Sequence, residues 1–346
     1  MSTTKFIHLL AVILTIFTIL TMSFHSILDN RELEESSILD ESNSSIDYFA
    51  LKNSNDWSSS ASAANPVVLT SVESTTNNEV VVAGIMSGST TMSLGSQSIT
   101  SSQNIEPWIA KADANGNWQW IQKVTVTGTS SYAEVDLADI SVASNGDIFA
   151  TGRFYESISF GSITLTSTGY FDTWVAKLSS NGQWVWAEAL RGNGDYDGAV
   201  VTSIDWIQST SLTTDSNNAV TIGGFFLGNT DAGNSGDGIN GNQLDLNDAE
   251  IFVAKYSNSG FNEWIDDARG QGFQVVNSMT ADNSNNVWIS TTFEVSMTFG
   301  SITANAGINE VPIGLAKISS SGIWQSAYAT SGSGNSLVTG IDVDSQ

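Results

Sequence analysis

The fold is decided by a short stretch in the middle of the chain, DTWVAKLSSNGQWVW at residues 172–186. The same pattern returns at residues 106–120, 250–264 and 312–326. Every copy has an Ala-Lys pair with a glycine five residues after the lysine. Three copies have a tryptophan seven residues after the lysine, and three have one nine residues after it. The lysines are spaced by 66, 78 and 62 residues, and self-similarity at such periods is typical of repeat proteins.

A second repeated block precedes this one. Residues 137–164 align without a gap on residues 276–303, and the matched stretches both end in the sequence FGSIT. Looser copies of its central part occur at residues 80–86 and 220–226. The two blocks together define one structural unit that is repeated about four times.

Each repeat is predicted to contain four β-strands. In the second copy we place them near residues 137–143, 147–154, 163–177 (with a break near Gly169) and 183–190, where Val, Ile, Thr, Phe and Trp are frequent. Asn-Gly pairs between these strands predict tight type I′ hairpins, and no stretch after residue 26 has helical periodicity with caps.

The predicted fold class is all-β, a β-propeller of four-stranded antiparallel blades, with about four blades and the start of a fifth. A row of small β-sandwiches or a β-solenoid is the alternative. We favour blades because an independent sandwich of this size buries little core.

The domain boundaries follow from composition. Residues 1–26 hold Lys5 and then an uncharged apolar run, which indicates a signal peptide or signal anchor and a secreted or extracytoplasmic location. Residues 27–66 are acidic and polar, which predicts a disordered linker. The repeats occupy residues 67–346. We expect blades near 67–134, 135–199, 200–274 and 275–336, and a partial blade at 337–346, where the sequence stops inside a fifth repeat.

One copy carries a recognisable family pattern. The residues are Gly152, Phe154, Phe160–Leu165, Asp172, Trp174–Leu178, Gly182, Trp184 and Trp186. This pattern resembles secreted microbial β-propeller repeats, the group often called seven-bladed β-propeller repeats. The resemblance covers the chain from about Val67 and implies the fold, but it implies no activity. The third copy departs from it, because a Gly/Asn/Asp-rich loop at Gly228–Asn247 replaces the Phe-Gly-Ser segment.

Composition excludes several kinds of chemistry. The chain has no cysteine, and its two histidines, His8 and His25, lie near the amino terminus. Disulfides are therefore absent, and the repeats have no Cys/His zinc site, Cys nucleophile or Ser-His-Asp triad. With 36 acidic and 11 basic residues the formal net charge is −25, which opposes nucleic acids and anionic membranes. We expect no cofactor, and membrane contact only through the N-terminal segment.

The basic residues of the repeats invite two interpretations. The repeated lysines either line a ligand site or pair with a carboxylate on a neighbouring strand, and we favour pairing because active sites normally break repeat symmetry. An acid stands five residues before three of the lysines, at Glu106, Asp172 and Glu250, and Pro312 takes that place in the fourth copy. Arg191 and Arg269 occupy equivalent turn positions, which argues against an anion site formed with Arg153.

Acidic motifs give two further hypotheses. Asn193, Asp195 and Asp197 offer oxygen atoms at alternate positions before a glycine, which is how a calcium loop opens, although position twelve is Ile204 rather than Glu. The alternative is a plain turn between blades. The second hypothesis is glycoside hydrolysis, which needs a pair of carboxylates, and the sequence offers three such pairs. They are Asp136/Asp139, Asp195/Asp197 and Asp266/Asp267.

The functional expectation is a secreted or cell-surface, non-enzymatic binding or adhesion module whose partner is an extracellular protein or glycan. The alternative is a carbohydrate-active propeller enzyme that uses Asp and Glu.

Overall fold

The structure describes the repeat region of the chain with several gaps. The structure is a computed structural model. It describes residues 63, 65, 67–102, 105–129, 133–168, 171–192, 206–228, 230–231, 239, 249–306, 312–330 and 338–344. The proposed signal, nearly all of the linker and the calcium motif lie outside these residues.

Each blade is an antiparallel meander of four strands, and in the first, second and fourth blades a small hairpin is inserted between the second and third strands. The first blade has β1 (Val67–Ser74), β2 (Val80–Met86), the hairpin β3 (Thr91–Leu94) and β4 (Gln97–Thr100), β5 (Glu106–Ala112) and β6 (Trp118–Lys123). Two short strands follow, β7 (Thr125–Val126) and β8 (Glu134–Val135).

The other blades repeat this plan. The second has β9 (Asp139–Val142), β10 (Ile148–Tyr155), the hairpin β11 (Ser157–Phe160) and β12 (Ile163–Thr166), β13 (Asp172–Leu178) and β14 (Trp184–Gly192). The third has β15 (Trp206–Thr214), β16 (Val220–Leu227), β17 (Thr230–Asp231), β18 (Glu250–Tyr256) and the first half of β19 (Asn262–Ala281). The fourth has the second half of β19, β20 (Val287–Phe299), β21 (Ile302–Asn305), β22 (Ile313–Ile318) and β23 (Trp324–Ala329).

Two details of the strand prediction are wrong. The predicted third strand at residues 163–177 is two strands, because β12 pairs with β11 and only β13 joins the main sheet. The turns are not type I′. In the turn at residues 143–147 only Gly146 has positive φ, and the amide of Gly146 donates to the carbonyl of Ala143. This is a three-residue loop, in which one residue instead of two adopts the left-handed conformation.

The inserted hairpins join each blade to the one before it. β11 of the second blade pairs with β7, which follows the outer strand of the first blade. The end of β20 pairs in the same way with β19 at Ala268–Gly270. In the third copy, where the sequence had lost the Phe-Gly-Ser motif, β17 still pairs with Arg191 and Gly192 of β14. The third blade therefore keeps this connection despite its divergent loop.

The hydrophobic cores lie between blades. One cluster combines Val81 and Ile109 of the first blade with Phe154 and Trp174 of the second. Similar clusters join the second blade to the third and the third to the fourth. The glycine of the Gly-x-Phe motif allows close packing, because a Cβ at Gly152 would lie 2.1 Å from the carbonyl oxygen of Asp136. The main chain alone fits there.

Candidate functional site

The repeated lysine of each blade pairs with a carboxylate, as the favoured interpretation predicted. The partner lies in the turn between the first two strands of the same blade. The Nζ–carboxylate distances are 2.8 Å for Lys111–Glu79, 2.7 Å for Lys177–Asp147, 2.8 Å for Lys255–Asp215 and 2.8 Å for Lys317–Asp282.

The acids five residues before the lysines have a different role. Asp172 accepts hydrogen bonds from the amides of Thr168 (2.8 Å) and Gly192 (2.9 Å). Glu106 pairs instead with Lys123 at 2.7 Å, and Glu250 accepts from the amide of Gly270 at 3.0 Å. These carboxylates fix the start of the third strand to the end of the fourth strand.

The lysine also reaches the next blade, together with a tryptophan. Nζ of Lys177 and Nε1 of Trp186 both donate to the carbonyl of Asn258, at 3.2 and 3.0 Å. The same arrangement is formed by Lys111 and Trp120 with Ser180, and by Lys255 and Trp264 with Ser320. We call each set of lysine, tryptophan and carbonyl a clamp. Within the residues that the structure describes, three clamps join the four blades.

The glycine of the template completes the clamp. Gly182 follows the accepting carbonyl in its turn and has φ of +77°, and a Cβ there would lie 2.6 Å from Cδ2 of Trp120. Gly260 and Gly322 lie against Trp186 and Trp264 in the same way. The recurring Lys, Gly and Trp positions are thus residues of the contact between blades.

Sheets that are four-stranded meanders, repeated and stacked through equivalent contacts, are the blades of a propeller. The chain is a β-propeller repeat protein.

A second polar contact of this propeller surrounds Arg153, between the second and third blades. Its guanidinium pairs with Glu134 at 3.0 Å and Asp136 at 2.8 Å, and it lies 4.5 Å from the ring centroid of Phe171. Its Nη1 also donates to Oε1 of Gln208 at 3.2 Å. Burial raises the pKa of Asp136, and the charge of Arg153 opposes that rise.

The other two arginines among the described residues do not join Arg153. In the strand register, the backbone of Arg191 lies opposite Asp231, and the backbone of Arg269 lies opposite Thr298. Their predicted equivalence is confirmed, but they lie in strands and not in turns. The side chain of Arg269 is bound by Asp267. Asp267, one of the two carboxylates proposed as Asp266/Asp267, therefore forms a salt bridge with Arg269.

Two carboxylates that sequence reasoning missed, Glu73 and Asp342, join Asp139 of the proposed Asp136/Asp139 pair. Glu73 of β1 lies near Asp139 of β9 and Asp342 of the segment 338–344. Burial raises the pKa of Glu73 to about 7, and the charges of the two aspartates add to the rise. Burial also raises the pKa of Asp139 to about 6. Asp139 accepts hydrogen bonds from Ser71 Oγ (3.1 Å) and the amide of Leu212 (3.0 Å). We call Glu73, Asp139 and Asp342 the inner carboxylates.

The calcium prediction stays a prediction, because Asn193, Asp195 and Asp197 lie outside the described residues. Across the part of the chain that the structure describes, no group of three or more His, Cys, Asp or Glu residues is arranged to hold a metal ion. The same residues include no helix long and apolar enough to cross a membrane.

Comparisons with known proteins give distant likenesses. No family model matches the chain. It is similar to the uncharacterized WD repeat-containing protein L264 of Acanthamoeba polyphaga mimivirus, with 27% identity over 224 residues. The similarity covers 56% of this chain but only 15% of that protein. YCF48 from Cyanidioschyzon merolae has a TM-score of 0.22 and 13% identity, over 67% of this chain and 82% of its own length.

Proposed function

We propose that this propeller is a secreted or cell-surface interaction module that binds an extracellular protein or glycan without chemical turnover. Support for the location comes from Lys5 and the apolar run that follows it. Support for an interaction role comes from the likeness to a WD repeat-containing protein and from the way in which the blades use their polar residues.

The charged groups of the clamps have structural roles. The buried lysines Lys111, Lys177 and Lys255 each bind a carboxylate and a carbonyl of the next blade. Repeated side chains that stabilise blade contacts are not free to bind a ligand. Residues that differ between the blades are therefore the better candidates for a binding surface.

The observation that carries the proposal is a pair of exposed apolar side chains at equivalent turns. Phe261 of the third blade is 54% exposed, and Ile323 of the fourth is 65% exposed. The first two blades have Asn117 and Gln183 at this position. The fold does not require an apolar residue there, and exposed apolar side chains mark an interaction site where they form a contiguous patch.

A double variant, Phe261→Gln with Ile323→Gln, tests the proposal, because Gln183 shows that the turn accepts glutamine. Both proteins are immobilised and probed with a glycan array and an array of extracellular protein domains. We expect the unmodified chain to bind a discrete set of probes and the variant to lose them while its melting temperature stays the same. Identical binding by the two proteins would exclude this surface.

The enzymatic alternative is tested in the same samples. A panel of chromogenic glycosides is incubated with the protein and with Glu73→Gln and Asp139→Asn variants. Turnover that disappears in one of these variants would replace the binding proposal with a glycosidase.

A further inference from the structure

The fourth blade has a sheet face that the other blades bury. In β22 the residues Ile313, Leu315 and Lys317 are partly exposed, and they alternate with buried neighbours. In β5, β13 and β18, the equivalent strands, every residue is buried. The sheet of the fourth blade is therefore covered on only one face within the described residues.

The open face keeps the composition of an interface between blades. Leu315 takes the place of Ile109, Val175 and Val253, which are buried in their blades. Directly across from Leu315 on β23 lies Tyr328, which is 60% exposed. Trp288 lies opposite Lys317 on β20 and is also partly exposed. These three apolar side chains lie on the same side of the sheet.

The fourth clamp is half built. Lys317 pairs with Asp282 as the other lysines pair with their turn acids, but its side chain is 22% exposed, against 5–8% for the others. The structure shows no carbonyl of a following blade bound to Lys317 among the described residues. Ser326 occupies the position of the clamp tryptophan.

The segment 338–344 lies where a further inner strand would begin. The amide of Ile341 donates to Ser278 Oγ at 3.3 Å, and Thr280 Oγ1 donates to Asp342 at 3.3 Å. Hydrogen bonds of this kind already link consecutive inner strands, such as Ser71 of the first blade with Asp139 of the second. The segment thus continues the series of inner strands past the fourth blade.

We propose that the open face of the fourth blade is the docking surface for one further blade of the same repeat, joined in line to residues 338–344. The face has the composition of the interfaces between the other blades. Lys317 could donate a hydrogen bond to a turn carbonyl, and the exposed apolar side chains could pack against a neighbouring sheet. A blade from a second copy would meet segment 338–344 at the inner edge, which favours a blade on the same polypeptide.

The test extends the full chain after Gln346 with a copy of residues 285–330, which matches the register of Asp344 with Asp282. Amine-reactive labelling and mass spectrometry measure the reactivity of Lys317, with Lys255 as the buried internal reference. We expect Lys317 to react several-fold faster than Lys255 in the original chain and to become as protected as Lys255 in the extended chain.

Ser326→Trp provides an independent arm. It should raise the melting temperature of the extended chain by completing the clamp, and it should leave the original chain unchanged. The gain should disappear when the added copy carries alanine in place of its turn glycine, the copy of Gly322.

Three results would overturn the proposal. One is an added blade that hydrogen exchange shows to be unfolded, and another is a folded added blade that leaves Lys317 reactive. The third is protection of Lys317 in the original chain that rises with protein concentration, which would assign the face to a second copy.

Discussion

Replacing Gly182 with alanine should destabilise the protein more than the same change at Gly146 of the same blade. Both glycines have left-handed φ angles, +77° and +85°, so each alanine costs about 1–2 kcal/mol of backbone strain. At Gly182 the new Cβ also lies 2.6 Å from Trp120, whereas at Gly146 the nearest atom is Cβ of Ser180 at 3.4 Å. Overpacking adds about 1–3 kcal/mol. We therefore expect losses of about 2–5 and about 1–2 kcal/mol.

Urea unfolding followed by far-UV circular dichroism measures both losses. A double-mutant cycle with Trp120→Ala isolates the clamp, because removal of the indole relieves the clash and the two changes should be less than additive. Equal losses at Gly182 and Gly146, or strict additivity with Trp120→Ala, would refute the claim that this glycine is required by the clamp.

Three other predictions concern charge and strain. Glu73→Gln should flatten the pH dependence of stability. The raised pKa of about 7 makes the folded state lose stability as pH rises from about 4.5 to 7, and parallel urea midpoints for variant and parent would contradict this. Lys255→Met should cost about 3–5 kcal/mol, since it leaves the buried carboxylate of Asp215 without its cation. The same change at the more exposed Lys317 should cost under about 1 kcal/mol by the same unfolding assay, and equal costs would be evidence against the clamp. Val295→Gly should raise the unfolding free energy by about 1 kcal/mol, because Val295 has φ of +58°, and a lower midpoint would show that its side chain compensates for the strain.

The repeat pattern predicted the blades because strand composition and turn residues are local signals. It also predicted that the repeated lysines pair with carboxylates. It did not identify the partners, because the carboxylate that binds the lysine occupies either of two positions in the turn. Asp215 and Asp282 occupy the first residue of their turns, whereas Glu79 and Asp147 occupy the last. A carboxylate at either position reaches the equivalent lysine. The acids therefore do not align with one another when the repeats are compared, and the pairing is not visible in the sequence.

Contacts between distant segments were not predictable from the sequence. Glu73 and Asp342 interact electrostatically although they lie far apart in the chain, and they share no motif. The pairing of β17 with β14 was hidden for a different reason. Two main-chain segments make it, and the pairing does not depend on the Phe-Gly-Ser side chains that the third copy lacks. Backbone hydrogen bonds preserve such a contact after the sequence has diverged.

The central claim is that consecutive repeats stack with their inner strands side by side. Ser141 of the second blade and Thr214 of the third have hydroxyl oxygens 2.9 Å apart, and the chain has no native cysteine. Ser141→Cys with Thr214→Cys should form an intramolecular disulfide on mild oxidation, detected by mass spectrometry of proteolytic peptides. A control pair, Ser141→Cys with Ser326→Cys, should not form one. Failure of the first pair to crosslink in folded protein, or equal crosslinking of both pairs, would contradict the stacked arrangement.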